Sequence, residues 1–371
     1  MKIAFIISTF PPCIGGMGQV ALAEALALTR LGHEVTVFTL DYGLKLSDCS
    51  FKIHHLSPWV RWGDAGFVPQ LFFKLRGFDL AHLHFPFYGG SFIVFLANLF
   101  FGLPYVVTYH MDAQPQGLGK NFIKICSDWL VSSRILKRAK KVILVDQDTQ
   151  QFSLVKKINN DNLVKISNTV DTEIFSKKIV SATDLGLPDF DKKNILLFVG
   201  NLLPIKRLDL IFEALHKLSD PNLVLIVVGG GYGQANYQAL IKKLSLEKSV
   251  YFVQSVKDPR ILVKYYSLAA VTVIPSDYES FSLVALESLA CGTPVIASRL
   301  SALQNKIDPA VNGFLFIPGD SQDLADKIKD FFNFSRERRE QFGQNGREGV
   351  VGKFSMQKHL EDLLKVYQSV V

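Results

Sequence analysis

The sequence predicts an α/β protein made of two successive doubly wound domains. Short apolar runs alternate with amphipathic stretches of helical length, the pattern of a parallel sheet covered on both faces. That alternation lapses once, over Asn168–Lys193, and then restarts. At 371 residues, the chain also exceeds the roughly 250–300 residues at which a single core stops growing. The expected boundaries are residues 1–170 for the first domain, 171–192 for a linker and 193–354 for the second. The amphipathic tail Phe354–Val371 is read as a helix, over about 355–371, that joins the first domain.

Lys2–Ser8 reads as the opening strand. Pro11-Pro12 ends its apolar run too early for a signal peptide, and no A-x-A site follows. Gln19–Leu31 reads as a helix closed by Gly32, where a left-handed cap belongs. Strands are expected at Glu34–Leu40, Asp79–His84, Tyr105–Tyr109 and Lys141–Val145. Phe85–Tyr109 carries no charge and is long enough to span a bilayer. Gly89-Gly90, Asn98 and Gly102-Leu103-Pro104 interrupt it, so it reads instead as a helix, Ser91–Phe101, followed by a buried strand. After the linker come strands at Asn194–Val199, Leu223–Val228, Val250–Val253, Val271–Ile274 and Val295–Ala297. Helices are expected between them at Leu208–Leu218, Tyr237–Leu244 and Ser282–Leu289.

Composition narrows the function. With 48% hydrophobic and 20% charged residues the chain is globular, not disordered. Cys13, Cys49, Cys126 and Cys291 show no C-x-x-C spacing, which argues against a zinc site or a disulfide scaffold and fits a reducing cytosol. The net charge of +7 points to an anionic partner, whether nucleotide, nucleic acid or membrane. The longest basic tract is only 137–141, so a nucleic-acid groove is not the leading choice. The 29 Phe suit either a large core or a peripheral membrane enzyme.

Four motifs carry chemistry. Gly15-Gly16 and Gly18 open the first helix; Gly16-x-Gly18-x-x-Ala21, with Asp41 closing the second strand, fits a dinucleotide fingerprint. The fingerprint, however, needs its first Gly directly after the strand, and Thr9–Ile14 intervenes. The favoured reading is an anion loop at a helix N-terminus, with a plain turn and NAD binding as alternatives. Gly200 ends a strand and leads through Asn201 to Lys206-Arg207, a diphosphate clamp where that strand end faces an interdomain crevice and otherwise a solvated pair. Gly229-Gly230-Gly231 fits close backbone approach to a ligand or a flexible turn equally well.

The sharpest motif runs from Pro275 to Val295. If both are helical, Glu279 and Glu287 lie roughly 12 Å apart along the axis, and even with Glu279 in the preceding loop they are not expected to reach the ~5 Å carboxylate spacing of a retaining glycosidase. They suit gripping two parts of one elongated ligand. Between them, the start of the helix at Ser280–Leu283 offers N–H groups to an anion. The alternative is a charge complementing the helix dipole plus a solvated mid-helix Glu.

These residues resemble, from end to end, glycosyltransferase family 4, retaining nucleotide-sugar enzymes of the GT-B fold, with two Rossmann-like domains facing a cleft. The matches are the Gly15-Gly16 loop, Gly32-His33-Glu34-Val35, Thr108-Tyr109-His110-Met111-Asp112, Asn168-Thr169-Val170-Asp171, Gly200 with Lys206, Gly229–Gly231, Glu279 to Glu287, Gly292-Thr293-Pro294-Val295 and Asn312-Gly313-Phe314. The resemblance implies that Lys206 clamps the donor diphosphate, Glu287 binds the ribose hydroxyls and Glu279 meets the donor sugar. It puts His110 near the reacting sugar and Gly15-Gly16 under the phosphates and acceptor. Substrate-binding positions so implied include Asn201, Arg207, Gly230, Ser282, Leu283 and Val284. Three departures stand out: Asn201 replaces a usual Arg, with Arg207 at a usual Gly; Ser280 and Ser282 replace glycines; Ser301-Ala302 and Asn305 replace a Gly-Gly and a Glu.

The expected activity is transfer of a hexose from a nucleoside-diphosphate sugar to a hydroxyl on a glycan or lipid-linked acceptor. The setting would be cell-surface glycan or glycolipid synthesis in the cytoplasm or at the inner membrane face. No metal ligand and no cofactor is assigned, because Asp146-Gln147-Asp148 falls on a first-domain strand end. A catalytically silent nucleotide-binding or membrane-associated scaffold of this fold is the alternative, and an NAD-dependent oxidoreductase the third. An anionic membrane surface is a further partner. Trp59, Arg61, Trp62, Phe67, Phe72, Phe73, Lys74 and Arg76 crowd a loop-like region, and a helical stretch Lys120–Lys141 mixes Phe122, Ile123, Trp129, Leu130, Ile135 and Leu136 with cations, the alternative being that these apolar residues are ordinary core.

Overall fold

Strand β1 (Lys2–Ile6) buries Ile3, Ala4, Phe5 and Ile6 completely, as a strand covered on both faces must. This is a computed structural model of the protein, describing residues 1–13, 15–44, 46, 49–111, 131–146, 154–190, 193–231 and 233–371. The chain forms two compact units, Met1–Asn168 with Gln357–Val371, and Thr169–Met356.

In the first unit β1 leads to helix α1 (Gly16–Arg30), then β2 (Glu34–Leu40), β3 (Lys52–Leu56), β4 (Val60–Trp62), β5 (Ala65–Phe67) and α2 (Leu71–Lys74). There follow β6 (Leu80–Phe85), α3 (Gly90–Phe101), β7 (Tyr105–Tyr109), α4 (Ser133–Arg138), β8 (Lys141–Leu144) and β9 (Leu163–Lys165). Seven parallel strands lie in the order β3-β2-β1-β6-β7-β8-β9. Gly32, at φ 84 just past α1, takes the left-handed conformation that costs glycine nothing.

The second unit runs β10 (Asn194–Val199), α5 (Leu208–Leu218), β11 (Leu223–Val228), α6 (Gln234–Lys243), β12 (Val250–Val253), α7 (Pro259–Leu268) and β13 (Val271–Ile274). It continues through α8 (Leu283–Ala290), β14 (Val295–Ser298), α9 (Ser301–Gln304), β15 (Gly313–Phe316), α10 (Ser321–Asn333) and α11 (Arg336–Lys353). Its six parallel strands are ordered β12-β11-β10-β13-β14-β15. The segment that leads into β10 packs on this unit: Thr169 Oγ1 donates to the Phe354 carbonyl at 2.6 Å, and Arg347 donates to the Thr172 and Phe175 carbonyls. Helix α12 (Met356–Gln368) belongs with the first unit apart from its first residue, burying His359, Leu363, Val366 and Tyr367.

Two expectations need correction. The aromatic and basic region 59–76 is not loop-like: β4 and β5 form an antiparallel hairpin, Val60 opposite Phe67, and α2 follows. The helical stretch Lys120–Lys141 does not run to its expected end. Helix α4 stops at Arg138, Lys141 opens β8, and Ile135 and Leu136 are buried in the core, because α4 packs its apolar side inward. Residues 120–130 of that stretch lie outside the described residues, as do Asp112, Gln147 and Asp148. Among the described residues no helix is long and apolar enough to cross a membrane.

Candidate active site

Parallel sheets present ligands beyond their carboxyl ends, where the order of strands reverses. In the second unit that reversal falls between β10 and β13. The loops leaving β10, β11 and β13 hold Gly200 to Arg207, Gly229 to Gly231, and Pro275 to Ser282.

Lys206 ends a short 3₁₀ turn, Pro204–Lys206. Its Nζ donates to Glu279 Oε1 at 2.6 Å, and Ser276 Oγ donates to the same oxygen at 2.8 Å. The side chains are 28% and 10% exposed, so the pair is accessible yet largely dehydrated. Helix α8 begins just beyond, and no side chain caps its first turn. Ser282 stands before it at φ 67, with its buried Oγ lacking a hydrogen-bond partner among the described residues. Leu283 and Val284, in the first turn of α8, are half-buried. One turn further, Glu287 Oε2 accepts from the Tyr266 hydroxyl at 2.7 Å. Burial pushes the Glu287 carboxyl up to about 7, with the Tyr266 hydrogen bond working against it.

Arg207 is held elsewhere. It adopts φ 49, and its guanidinium binds Asp209 at 3.0 Å and Asp277 at 3.1 Å. Asn201 is exposed. The glycine run after β11 has a backbone explanation: a Cβ on Gly229 would fall 1.9 Å from the Gly200 carbonyl oxygen, and Leu202 N donates to Gly230 O at 3.0 Å. Two loops meet there main chain to main chain, which only glycine allows.

The first unit holds the remaining assigned residues. Gly15 precedes α1 with open space where a Cβ would point, and the helix that starts at Gly16 has no side-chain cap. His110 follows β7, is buried, and donates its backbone N–H to Phe85 O at 3.0 Å. Burial pushes its imidazole down to about 4, against the raising effect of Glu24. His110 Nε2 lies 3.0 Å from His84 Nδ1, the two rings stacked at 16°.

Behind His110 stands a polar core that motif reading missed: Glu24 on α1, His82 and His84 on β6, and His359 and Tyr367 on α12. Two histidines at i and i+2 in an apolar strand must share one face, and Glu24 lies on the buried face of α1 with Val20, Ala21 and Leu28. That spacing was the available signal. Ligand-type atoms of Glu24, His82 and His84 come within 4.8 Å of one another. The two imidazoles stack at 26°, so their in-plane lone pairs run nearly parallel instead of converging. His82 Nδ1 also meets the Tyr367 hydroxyl at 2.6 Å. The group is a hydrogen-bonded polar core in geometry.

Residues 186–349 match the family model described as Glycosyl transferases group 1, and residues 14–174 that described as Glycosyltransferase Family 4. A D-inositol 3-phosphate glycosyltransferase from Frankia alni is 30% identical over 365 residues, covering 85% of each chain. Sucrose-phosphate synthase from Thermosynechococcus elongatus superposes with a TM-score of 0.82 at 24% identity, over 99% of this chain and 98% of that one. HepE from Anabaena, solved with UDP and glucose, gives 0.82 at 18% identity over 100% of both. These likenesses establish the fold.

Proposed function

The chain belongs to the GT-B glycosyltransferases that the group 1 and family 4 models describe, and on that premise we propose that it is a retaining enzyme moving a hexose from a nucleoside-diphosphate sugar to a hydroxyl acceptor. One observation carries the reading: the Lys206–Glu279 pair stands beside the uncapped start of α8, with Glu287 one turn along. A cation and free helix N–H groups suit a diphosphate. A carboxylate next to the cation suits sugar hydroxyls, and a half-buried carboxylate on the same helix suits a ribose diol.

In the reaction the bond from the sugar C1 to the phosphate oxygen breaks, and the acceptor oxygen bonds to C1 on the same face. The acceptor proton leaves towards the departing phosphate. Charge grows on the diphosphate, so Lys206 and the α8 N–H groups stabilise the transition state more than the ground state. Glu279 orients the sugar while Lys206 turns from it towards the phosphate. His110, which the family resemblance puts near the reacting sugar, serves in this reading as a neutral hydrogen-bonding group for it, in keeping with an imidazole that burial pushes down to about 4.

The acceptor is proposed to be lipid-linked and the enzyme to work at the cytoplasmic face of a membrane. Support comes from Trp59 and Phe73, each 76% exposed, and Phe100, 68% exposed. Phe72 meets Phe73 and Phe100 edge to face and Phe101 at a tilt, and Arg76 lies over Phe101.

Thermal shift against UDP, GDP, ADP and CDP tests the donor reading. A nucleotide at 100 times its dissociation constant stabilises the fold by about 2.7 kcal/mol. UDP is the first to try, because HepE was solved with it. A melting temperature unmoved by all four nucleotides would overturn the proposal.

A further inference from the structure

The protonation pattern behind His110 follows from hydrogen-bond bookkeeping. His359 Nδ1 faces the Ser167 carbonyl at 2.8 Å, and its Nε2 faces Glu24 Oε1 at 2.9 Å. A carbonyl and a carboxylate only accept, so both ring nitrogens donate and His359 is an imidazolium. Glu24 is its counter-ion. Burial opposes both charges, yet the pair holds Glu24 below and His359 above their usual ranges.

The second carboxylate oxygen is then decisive. Glu24 Oε2 and His84 Nε2 are buried and lack partners among the described residues, and they face one another at 3.7 Å. An ionised oxygen can only be satisfied by a donor, and an approach of under about 1 Å would make the bond. His82, 4.0 Å from the same oxygen, is already engaged through Nδ1 with Tyr367 O–H and through Nε2 with Thr108 Oγ1. The proton of His84 therefore sits on Nε2. Its Nδ1 must accept, and the group facing it at 3.0 Å is His110 Nε2. His110 in turn carries its proton on Nε2.

We propose that Glu24 and His84 are positioning residues for His110, a buried carboxylate–imidazole relay that fixes its tautomer and leaves Nδ1 as the lone-pair acceptor at the carboxyl end of β7. The charged and titratable groups facing the relay are Glu24 from α1, His82 and His84 from β6, and His359 and Tyr367 from α12. A carboxylate behind a neutral imidazole both orients the ring and stabilises positive charge arriving on it. The proposed substrate hydroxyl would then meet an acceptor of fixed direction. The relay's purpose rests on the role given to His110 under the proposed function; its tautomers do not.

Two measurements separate these claims. Long-range ¹H–¹⁵N correlation spectra of the full chain, with peaks assigned by single His substitutions, should show His84 and His110 as Nε2–H tautomers and His359 doubly protonated near pH 7.5. A proton on His110 Nδ1 overturns the relay. Hydrolysis and transfer of UDP-glucose, or of whichever nucleotide sugar matches the stabilising base, should fall about tenfold in kcat for His84→Phe, with donor KM unchanged. His84→Asn, whose amide oxygen still accepts from His110, should restore most of the loss. Glu24→Gln should behave as His84→Phe; where it fails to fold for want of a partner to His359, the His84 pair decides. Wild-type kcat in His84→Phe beside an impaired His110→Ala overturns the relay and leaves the function standing. Wild-type kcat in His110→Ala instead overturns the role given to His110, and the relay's purpose with it.

Discussion

Lys206 and Glu279, 73 residues apart in sequence, meet at 2.6 Å where the strand order of the second unit reverses. The contact orders both side chains before any ligand arrives, and on the proposed reading a diphosphate draws Lys206 away from Glu279, exchanging one anionic partner for another. Lys206→Ala and Glu279→Gln should each cut turnover at least about tenfold, roughly 1.4 kcal/mol of barrier. Lys206→Ala should also abolish nucleotide-induced stabilisation, whereas Glu279→Gln, which leaves the cation in place, should keep it. Steady-state rates and melting curves on the same preparations check both, and two variants with wild-type turnover would remove the assignment.

Much of this site is legible in the sequence because strand ends and turn residues are local. The departures from glycine are the instructive part. Arg207 at φ 49 and Ser282 at φ 67 occupy left-handed positions where glycine sits without strain. The chain keeps the backbone shape and accepts that cost, while Asp209 and Asp277 hold Arg207. Lys206-Arg207 reads in the sequence as a diphosphate clamp or a solvated pair, and neither reading contains those carboxylates, one of them 70 residues away. The Glu24–His359 pair was harder still, joining positions 335 residues apart. No local pattern announces such a pair; it emerges only once α12 packs beside α1. The β4–β5 hairpin escaped for the opposite reason, as three-residue strands leave too few positions for a period of two to register.

The ribose-binding role proposed for Glu287 predicts that nucleotide binding depends on pH. Burial raises its carboxyl to about 7, so near neutrality the free protein holds it partly protonated. The stability it contributes is present below its unfolded pKa and is lost as pH rises through about 7. A ribose diol donates to the ionised form, so binding should lower this pKa and release a proton. Affinity for UDP-glucose, whose diphosphate does not titrate there, should rise between about pH 6 and 8. Calorimetry in buffers of different ionisation enthalpy should show the proton release in wild type and none in Glu287→Gln. A pH-independent affinity in the wild type contradicts the assignment.

The polar core should make the first unit acid-sensitive. Burial depresses His82 and His110 to about 4 and His84 well below its usual value. A histidine kept neutral by folding gives its full stability above the unfolded pKa near 6.5 and loses it as pH falls towards 4. Each contributes up to about 1.4 kcal/mol per pH unit across that window. The Glu24–His359 pair leaves most of this window alone: Glu24's contribution is present above about 4.5 and is lost as pH falls from there through its depressed pKa, and that of His359 is present below about 6.5 and is lost as pH rises through its raised one. Urea midpoints followed by a first-unit probe should drop clearly from pH 7 to pH 5, and less in His84→Phe. Equal midpoints at the two pH values would show that these histidines do not stay neutral.

The exposed aromatics of the first unit make the membrane proposal testable at named positions. Ile135 and Leu136 belong to the core, so α4 offers no apolar face to lipid through them. The hairpin and α2–α3 region does: Trp59, Phe73 and Phe100 are exposed, Phe73 and Phe100 meeting through Phe72, and Lys74 and Arg76 are exposed beside them. Aromatic rings seat at the bilayer interface while cations meet anionic headgroups, each Lys or Arg giving on the order of 1 kcal/mol near such a surface. The two contributions respond differently to conditions. Raising salt from 50 to 500 mM should weaken flotation with anionic vesicles by screening the cations. Phe73→Ser with Phe100→Ser should weaken it at every salt concentration, because the lost term is apolar. At a fixed salt concentration the double substitution should leave nucleotide-induced stabilisation unchanged, since neither phenylalanine is among the residues assigned to the nucleotide. A protein that stays with the soluble fraction at low salt, in the presence of anionic vesicles, would remove the membrane from the proposal and leave a water-soluble acceptor.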